Sequence, residues 1–295
     1  MKKILAPVDF GEATEAVVDF AGHLGQSLGA SVELLHCHTV IASPSYTQLR
    51  LEAESAIERR LESLATDARA AVGYDLRVLT QGERDFPAQG ITQAAYDADL
   101  LVLGQTANHG IWRFLLGDVT GQVLGGTPAP TLVVPAKANY VAPRLLRLAV
   151  AGPPPAPGRA TLKPLRDLAL AFGARVEVIH FAHPGDPTGR EVFAEPLQGV
   201  TFDYLQADDQ TDVATLLTGG SGVIEDAWVC TVREERPGWM RALFRDLSER
   251  VAAETAAPAL VLPRDPQEAD EVRRLRYARE IPVYDEAWSP VFTGY

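Results

Sequence analysis

The chain has no run approaching the roughly 18–20 apolar residues that a membrane-spanning helix needs. It is also poor in positive charge: 27 Lys and Arg stand against 39 Asp and Glu, for a formal net charge of −12 at pH 7. Such a surface repels phosphate backbones and anionic headgroups, which excludes nucleic acid and membrane surfaces as partners unless a local basic patch intervenes. No such patch stands out, because RRLRYAR at 273–279 is short and lies in an acidic tail. Cysteine is scarce as well. Cys37 and Cys230 are the only two, each inside an apolar strand-like run. This predicts a reduced, cytoplasmic protein without a disulfide framework. The opening MKKILAPVDF is interrupted by Pro7 and Asp9 before its apolar stretch reaches signal-peptide length. No serine sits in a nucleophile elbow, and no spacing pairs two carboxylates with a histidine, so no catalytic set is expected.

What is present is a duplication. The 295 residues, 46% hydrophobic and 22% charged, make about two ordinary globular domains. ILAPVDFGEATEAVVDFAGHLGQSLGASVELLHCH (4–38) lies over LAVAGPPPAPGRATLKPLRDLALAFGARVEVIHFA (148–182) without a gap. Gly29 then matches Gly173 and His36 matches His180, each at an offset of 144. PAPTLVVPA (128–136) matches AAPALVLPR (256–264) at an offset of 128, so the second copy is 16 residues shorter in its middle. This sets domains at 1–140 and 141–264, followed by a tail at 265–295.

Within the first copy, apolar runs alternate with helical patterns. KKILAPVD, SVELLHCH, DLRVLTQG, DLLVLG and PTLVVPA read as strands. EATEAVVDFAGHLGQSLG reads as an amphipathic helix closed by Gly29. The segment LRLEAESAIERRLESLATDARAAV places Ala53, Ile57, Leu61, Leu64, Ala68 and Val72 on one face of a long helix. GITQAAYDA and GDVTGQVLGG supply two shorter helices. The second copy lacks the long helix, since PGDPTGREVFAEPLQG has no helical period. The alternation predicts an α/β protein of two tandem doubly wound, mostly parallel five-stranded sheets. The last strands, TLVVP and ALVLP, would each leave an open edge, a liability that mutual pairing removes. Ligands in such sheets bind beyond the strand carboxyl ends, where strand order reverses. That points to Asp9, Cys37 and the loop opened by Gly104.

These places together resemble a tandem universal stress protein. ILAPVDFGEA ends its strand in Asp9 as that family does, and LLHCH matches the family's second strand. VLGQTANHGIWRFLLGDVTGQVL matches its G-x2-G-x9-G-S/T nucleotide motif in register. The likeness covers nearly all of 1–137 and, more weakly, 144–264. It implies a Rossmann-like fold of the adenine nucleotide alpha hydrolase type, an ATP site with Mg²⁺ in the first domain, and a pseudo-dimer within one chain, with a homodimer of two chains also open. Pro7, Val8 and Asp9 would border adenine and ribose, and Cys37 would flank the base. The segment Gly104, Ala107, Gly110, Gly117, Asp118, Val119 would form the phosphate cradle.

Two motif positions depart from the family. Ala107 stands at the second glycine, where a methyl penalises positive φ by about 1 kcal/mol. Asp118 replaces the phosphate-binding Ser/Thr. A carboxylate about 4 Å from a phosphate oxygen costs on the order of 4 kcal/mol at an effective dielectric of roughly 20, less where salt or a bridging Mg²⁺ intervenes. Asp118 either caps the helix that follows, taking the amides that would hold phosphate, or tolerates a weakened nucleotide. In the second copy Pro153 replaces the aspartate, and Thr231, Glu234 and Arg245 fall at the glycine positions, so no cradle is expected there.

Other residues carry weaker signals. His36 and His38 share a strand face, as a metal pair would, yet no clustered Cys or Asp completes a shell. Asp9 is a candidate base or, more simply, a hydrogen-bond acceptor for a ribose or the turn DFGEA. Trp112 and Phe114 offer a contact surface for a protein partner or local packing. The tail aromatics Tyr277, Tyr284, Trp288, Phe292 and Tyr295 argue against free disorder. The expected function is a non-enzymatic stress-response binding or regulatory module with at most one weakened nucleotide site. A nucleotide-free scaffold is the alternative. A slow ATPase is disfavoured, since the loop has no lysine and no base is identifiable.

Overall fold

The computed structural model describes residues 1–39, 47–83, 87–105, 119–151, 157–181, 189–207, 226–233 and 257–263. The first half runs β1 (Lys3–Pro7), α1 (Thr14–Leu28), β2 (Ser31–Thr39), α2 (Thr47–Val72), β3 (Leu76–Glu83), α3 (Pro87–Ala95), β4 (Leu100–Gln105), α4 (Val119–Gly126) and β5 (Thr131–Pro135). The second runs β6 (Leu145–Ala151), α5 (Arg159–Phe172), β7 (Arg175–Phe181), α6 (Glu191–Ala194), β8 (Phe202–Ala207), β9 (Ala227–Val232) and β10 (Ala259–Leu262).

All ten strands form one sheet in the order β3-β2-β1-β4-β5-β10-β9-β6-β7-β8. Each half contributes the expected five mostly parallel strands, and the edge pairing expected of TLVVP and ALVLP joins them into one continuous sheet. The first half contributes the order 3-2-1-4-5, and the second repeats it in mirror sequence. Neighbours are parallel except at the centre, where β5 and β10 pair antiparallel through Ala259↔Val133, Leu260↔Leu132 and Val261↔Thr131. The physical reason lies in the duplication. Equivalent edge strands brought together around a pseudo-twofold axis must run in opposite directions, and each covers the other's unpaired amides and carbonyls.

Alternation along the strands sends side chains to two faces. Ile4, Ala6, Val32, Leu34, Leu100 and Val102 join α1, α2 and α5 in one core. That core continues through Leu146, Leu148, Trp228 and Leu260 of the second half. On the opposite face Leu5, Leu35, Leu101 and Leu103 pack with α3 and Val123 of α4. In α1 the buried residues Val17, Phe20, Ala21 and Leu24 recur at helical spacing. Along α2 the buried stripe begins later than the pattern predicts: Leu61, Ala65, Ala68 and Val72 are buried, whereas Ala53 is exposed.

The two halves share local devices at the offset of 144. Gly29 and Gly173 both close a helix at φ near +61° and +63°, donating to Gly25 O and Ala169 O, where a side chain would be strained. Lys3 pairs with the buried Glu33 at 2.7 Å, and Arg147 pairs with Glu177 at 2.8 Å. Position 3 matches 147 and position 33 matches 177. Divergence concentrates where α2 stands in the first half. There the second has the four-residue α6, where no helical period was expected, anchored by the buried Phe193 and Leu197.

Candidate functional site

Strand order reverses between β1 and β4, and a cleft of about 190 Å³ opens there. Six of the residues singled out from sequence line it: Pro7 at the end of β1, Val8 and Asp9 just beyond it, Cys37 of β2, Gly104 of β4 and Val119 of α4. They come from four elements distant in sequence, so the topology, not the spacing, assembles them. Ala107, Gly110, Gly117 and Asp118 lie outside the described residues, as do Pro153, Glu234, Arg245, Trp112, Phe114 and the tail aromatics.

The carboxylate of Asp9 is exposed, and its Oδ1 accepts the Gly11 N–H at 2.8 Å. This is the turn that DFGEA was expected to make. A Cβ on Gly11 would stand 2.8 Å from that oxygen, so a side chain there would push the Asp9 carboxylate out of this turn. Phe10, between them, takes φ +61°, an unfavourable conformation for a bulky residue. It is held there by the His36 ring at 4.6 Å and by the Arg60 guanidinium 4.4 Å above its face.

Val8 spends its backbone on the protein. Its amide donates to Leu35 O at 2.9 Å, and its carbonyl accepts from His36 Nδ1 at 2.7 Å. Val8 therefore borders the cleft with its side chain. The same bond gives His36 a structural duty, with Nδ1 protonated because a carbonyl can only accept. The rings of His36 and His38 stack with centroids 6.1 Å apart, and His38 Nε2 lies 3.9 Å from Glu54 Oε1. Among the described residues no three His, Cys, Asp or Glu side chains gather as a metal shell.

Gly104 has a role that its place in a phosphate motif does not suggest. A Cβ there would meet Ala13 Cβ at 2.4 Å and Val17 Cγ2 at 3.1 Å, so β4 and α1 touch only because position 104 has no side chain. Overpacking of this kind costs about 1–3 kcal/mol. Gly104→Ala is expected to lower stability by that amount in calorimetry, and Ala13→Gly in the same chain to recover most of it. A double variant as unstable as the single one would sink the account.

Sequence reading missed several walls of the cleft. Leu35 shares a strand face with Cys37, and i, i+2 alternation was a usable signal. Pro87 and Ile91 of α3 and Leu103 of β4 complete an apolar side that no local pattern marks. Thr120 donates from Oγ1 to Gly104 O at 3.2 Å, tying the start of α4 to the end of β4. Thr14, the first residue of α1, lines the cleft while only 6% exposed, and its buried Oγ1 has no hydrogen-bond partner among the described residues. The α1 N-terminus behind it has no side-chain cap.

In the second half the corresponding strand ends are filled. Phe181 replaces Cys37 at the offset of 144 and is buried in an apolar cluster, and by strand register the half-buried Val232 stands at the Gly104 position, where the sequence alignment puts Thr231. His180 Nδ1 lies 3.0 Å from Tyr204 OH, a bond His36 does not make. Cys230 is fully buried, which pushes its thiol well above the usual range and leaves it unionised.

A doubly wound α/β sheet with its cleft at the reversal of strand order defines the Rossmann-like class of fold. Residues 1–135 match the model of the universal stress protein family. A universal stress protein of Methanocaldococcus jannaschii is 28% identical over 138 residues, covering 45% of this chain and 81% of that protein. The solved universal stress protein of Archaeoglobus fulgidus superposes over 89% of this chain and 96% of its own, with a TM-score of 0.69 at 19% identity. A protein of unknown function from Pseudomonas aeruginosa covers 93% of this chain and 98% of its own, with a TM-score of 0.60 at 14% identity. These two likenesses show the fold across both halves. Among the described residues no helix is long and apolar enough to cross a membrane.

Proposed function

We propose that the cleft of the first half is a weakened adenine-nucleotide site and that the chain is a non-enzymatic stress-response binding or regulatory module. Residues 141–264 would be a shortened second universal stress domain without a site, and 265–295 a separate tail. The observation that carries this reading is the cleft at the reversal of strand order, walled by Pro7, Val8, Asp9 and Cys37 and lined also by Thr14, whose buried hydroxyl has no partner among the described residues. A buried hydroxyl without a hydrogen bond costs about 1–3 kcal/mol, and a ligand that supplies the bond recovers it.

The walls fit such a ligand. Leu35, Cys37, Ile91 and Leu103 offer an apolar slot suited to a base, and the volume suits one ring system more than a whole nucleotide. Asp9 keeps Oδ2 for a sugar hydroxyl beside Thr14. The phosphate end would then fall on 106–118, where Asp118 opposes it and Mg²⁺ would offset part of the repulsion. A bound nucleotide would supply charge and shape to be recognised, and this chain's residues would orient it.

Isothermal titration with Mg-ATP tests the reading. Saturable binding is expected, weakened about 5- to 20-fold in Thr14→Val, a variant expected to fold at least as stably as the parent because it removes an unsatisfied hydroxyl. Silence to millimolar ligand in the parent overturns the nucleotide site and leaves the scaffold. Equal affinity in Thr14→Val removes the Thr14 hydroxyl from the assignment.

A further inference from the structure

Helix α4 is shared between the two halves. Its first residues, Val119 and Thr120, form one wall of the cleft, and Val123 packs in the core beneath that cleft with Leu35, Ile91 and Leu103. One residue later Leu124 belongs to a different core, with Val133 of β5, Val229 of β9, and Ala259 and Val261 of β10. At its carboxyl end α4 finishes in Gly125 and Gly126, whose missing side chains cannot shield the last carbonyls from water. Arg233, one residue beyond β9, takes that place. Its Nη1 donates to Leu124 O at 2.8 Å and to Thr127 O at 2.7 Å. Its backbone amide donates to Leu262 O at 2.8 Å, which fixes the residue against β10.

The charge sits where it is most useful. A cation at a helix carboxyl terminus is stabilised by the helix dipole and stabilises the helix in return. An eight-residue helix spans about 12 Å, so holding one end sets the position of the other. Arg233 also follows directly on Val232, which by strand register stands at the Gly104 position of the second half. Just beyond that position the second half projects an arginine onto the helix of its neighbour.

We infer that Arg233 is a positioning residue for the first-half cleft: the second half sets nucleotide affinity by clamping the carboxyl end of α4. This rests on the reading of the cleft as a nucleotide site. The ligand gains from the α4 amino end and Arg233 holds the carboxyl end, so the two stabilise the same arrangement of one helix and are coupled. The coupling is reciprocal, and nucleotide should in turn protect α4 and β10 from opening.

The test compares Mg-ATP affinity and hydrogen–deuterium exchange in the full chain, its Arg233→Ala and Arg233→Lys variants, and Arg175→Ala. Arg175 pairs with Asp203 on the exposed far edge of the sheet and serves as the control. Arg233→Ala is expected to weaken binding about 5- to 10-fold and to speed exchange at residues 120–127 before ligand is added. Arg233→Lys, which keeps the charge but not the fork of donors, should recover part of both, and Arg175→Ala should leave both unchanged. A binding parent whose Arg233→Ala variant keeps full affinity sinks the inference alone. A parent silent to nucleotide sinks the reading of the cleft and this inference with it. Should Arg233→Ala fail to fold, the lysine variant decides, since unchanged affinity with unchanged exchange there overturns the clamp.

Discussion

Replacing Ala107 by Gly and Asp118 by Ser in one chain is expected to tighten Mg-ATP binding by up to about a thousandfold. The argument is electrostatic. A carboxylate near 4 Å from a phosphate oxygen opposes it by about 4 kcal/mol at an effective dielectric of roughly 20. A serine there donates a hydrogen bond instead. The alanine contributes less, about 1 kcal/mol, through the φ > 0 conformation that a glycine adopts freely. The single variants should therefore divide unequally, with Asp118→Ser carrying most of the gain. Salt sharpens the test, because a repulsion between exposed charges is screened at high ionic strength. The parent should bind relatively better as salt rises, and the double variant should lose that trend. Titration calorimetry at two salt concentrations reads both effects. A double variant no tighter than the parent would show that Asp118 does not face the ligand.

Truncating Trp228 to Ala should cost about 3–5 kcal/mol, a large share of the roughly 5–15 kcal/mol that holds a domain together. Trp228 lies in β9 and is 1% exposed. Its ring is 6.0 Å from Phe20 of α1, 6.1 Å from Phe172 of α5 and 6.4 Å from Tyr140 of the connecting segment. Tyr140 in turn stacks on His23 at 4.3 Å and donates its amide to Asp19 Oδ2. One indole thus fills the space where the helices of the two halves meet over the sheet. Removing it leaves a cavity that neither half can close, because each is fixed by its own strands. Urea unfolding followed by circular dichroism should show a single transition in the parent. In Trp228→Ala the midpoint should fall and the transition broaden as the halves separate. A loss below about 1 kcal/mol would mean that the β5–β10 pairing alone joins them.

Much of this arrangement was legible in the sequence because it is governed by local rules. Strand runs such as LLVL, the αL glycines at 29 and 173, and the helical period of Val17, Phe20 and Leu24 each act over a few residues. The register at 144 went further, since Lys3–Glu33 and Arg147–Glu177 are the same ion pair written twice. Less was legible at the cleft. Nothing in the sequence around Thr14 announces a buried hydroxyl, which exists only once β1, β4 and α1 come together. Gly104 carried a motif signal that concealed a second reason for glycine, the 2.4 Å approach to Ala13. Arg233 had no signal at all, for its partners are 106 and 109 residues away.

The sequence by itself determined that the chain is an α/β protein with strand ends near Asp9, Cys37 and Gly104, because apolar period and turn chemistry are properties of short segments. Only the tertiary structure decided which residues of α1, α3 and α4 close the cleft over the strand ends, and that an arginine of one half caps a helix of the other. Those outcomes depend on backbone hydrogen bonds and packing between segments more than a hundred residues apart, and no local pattern encodes them.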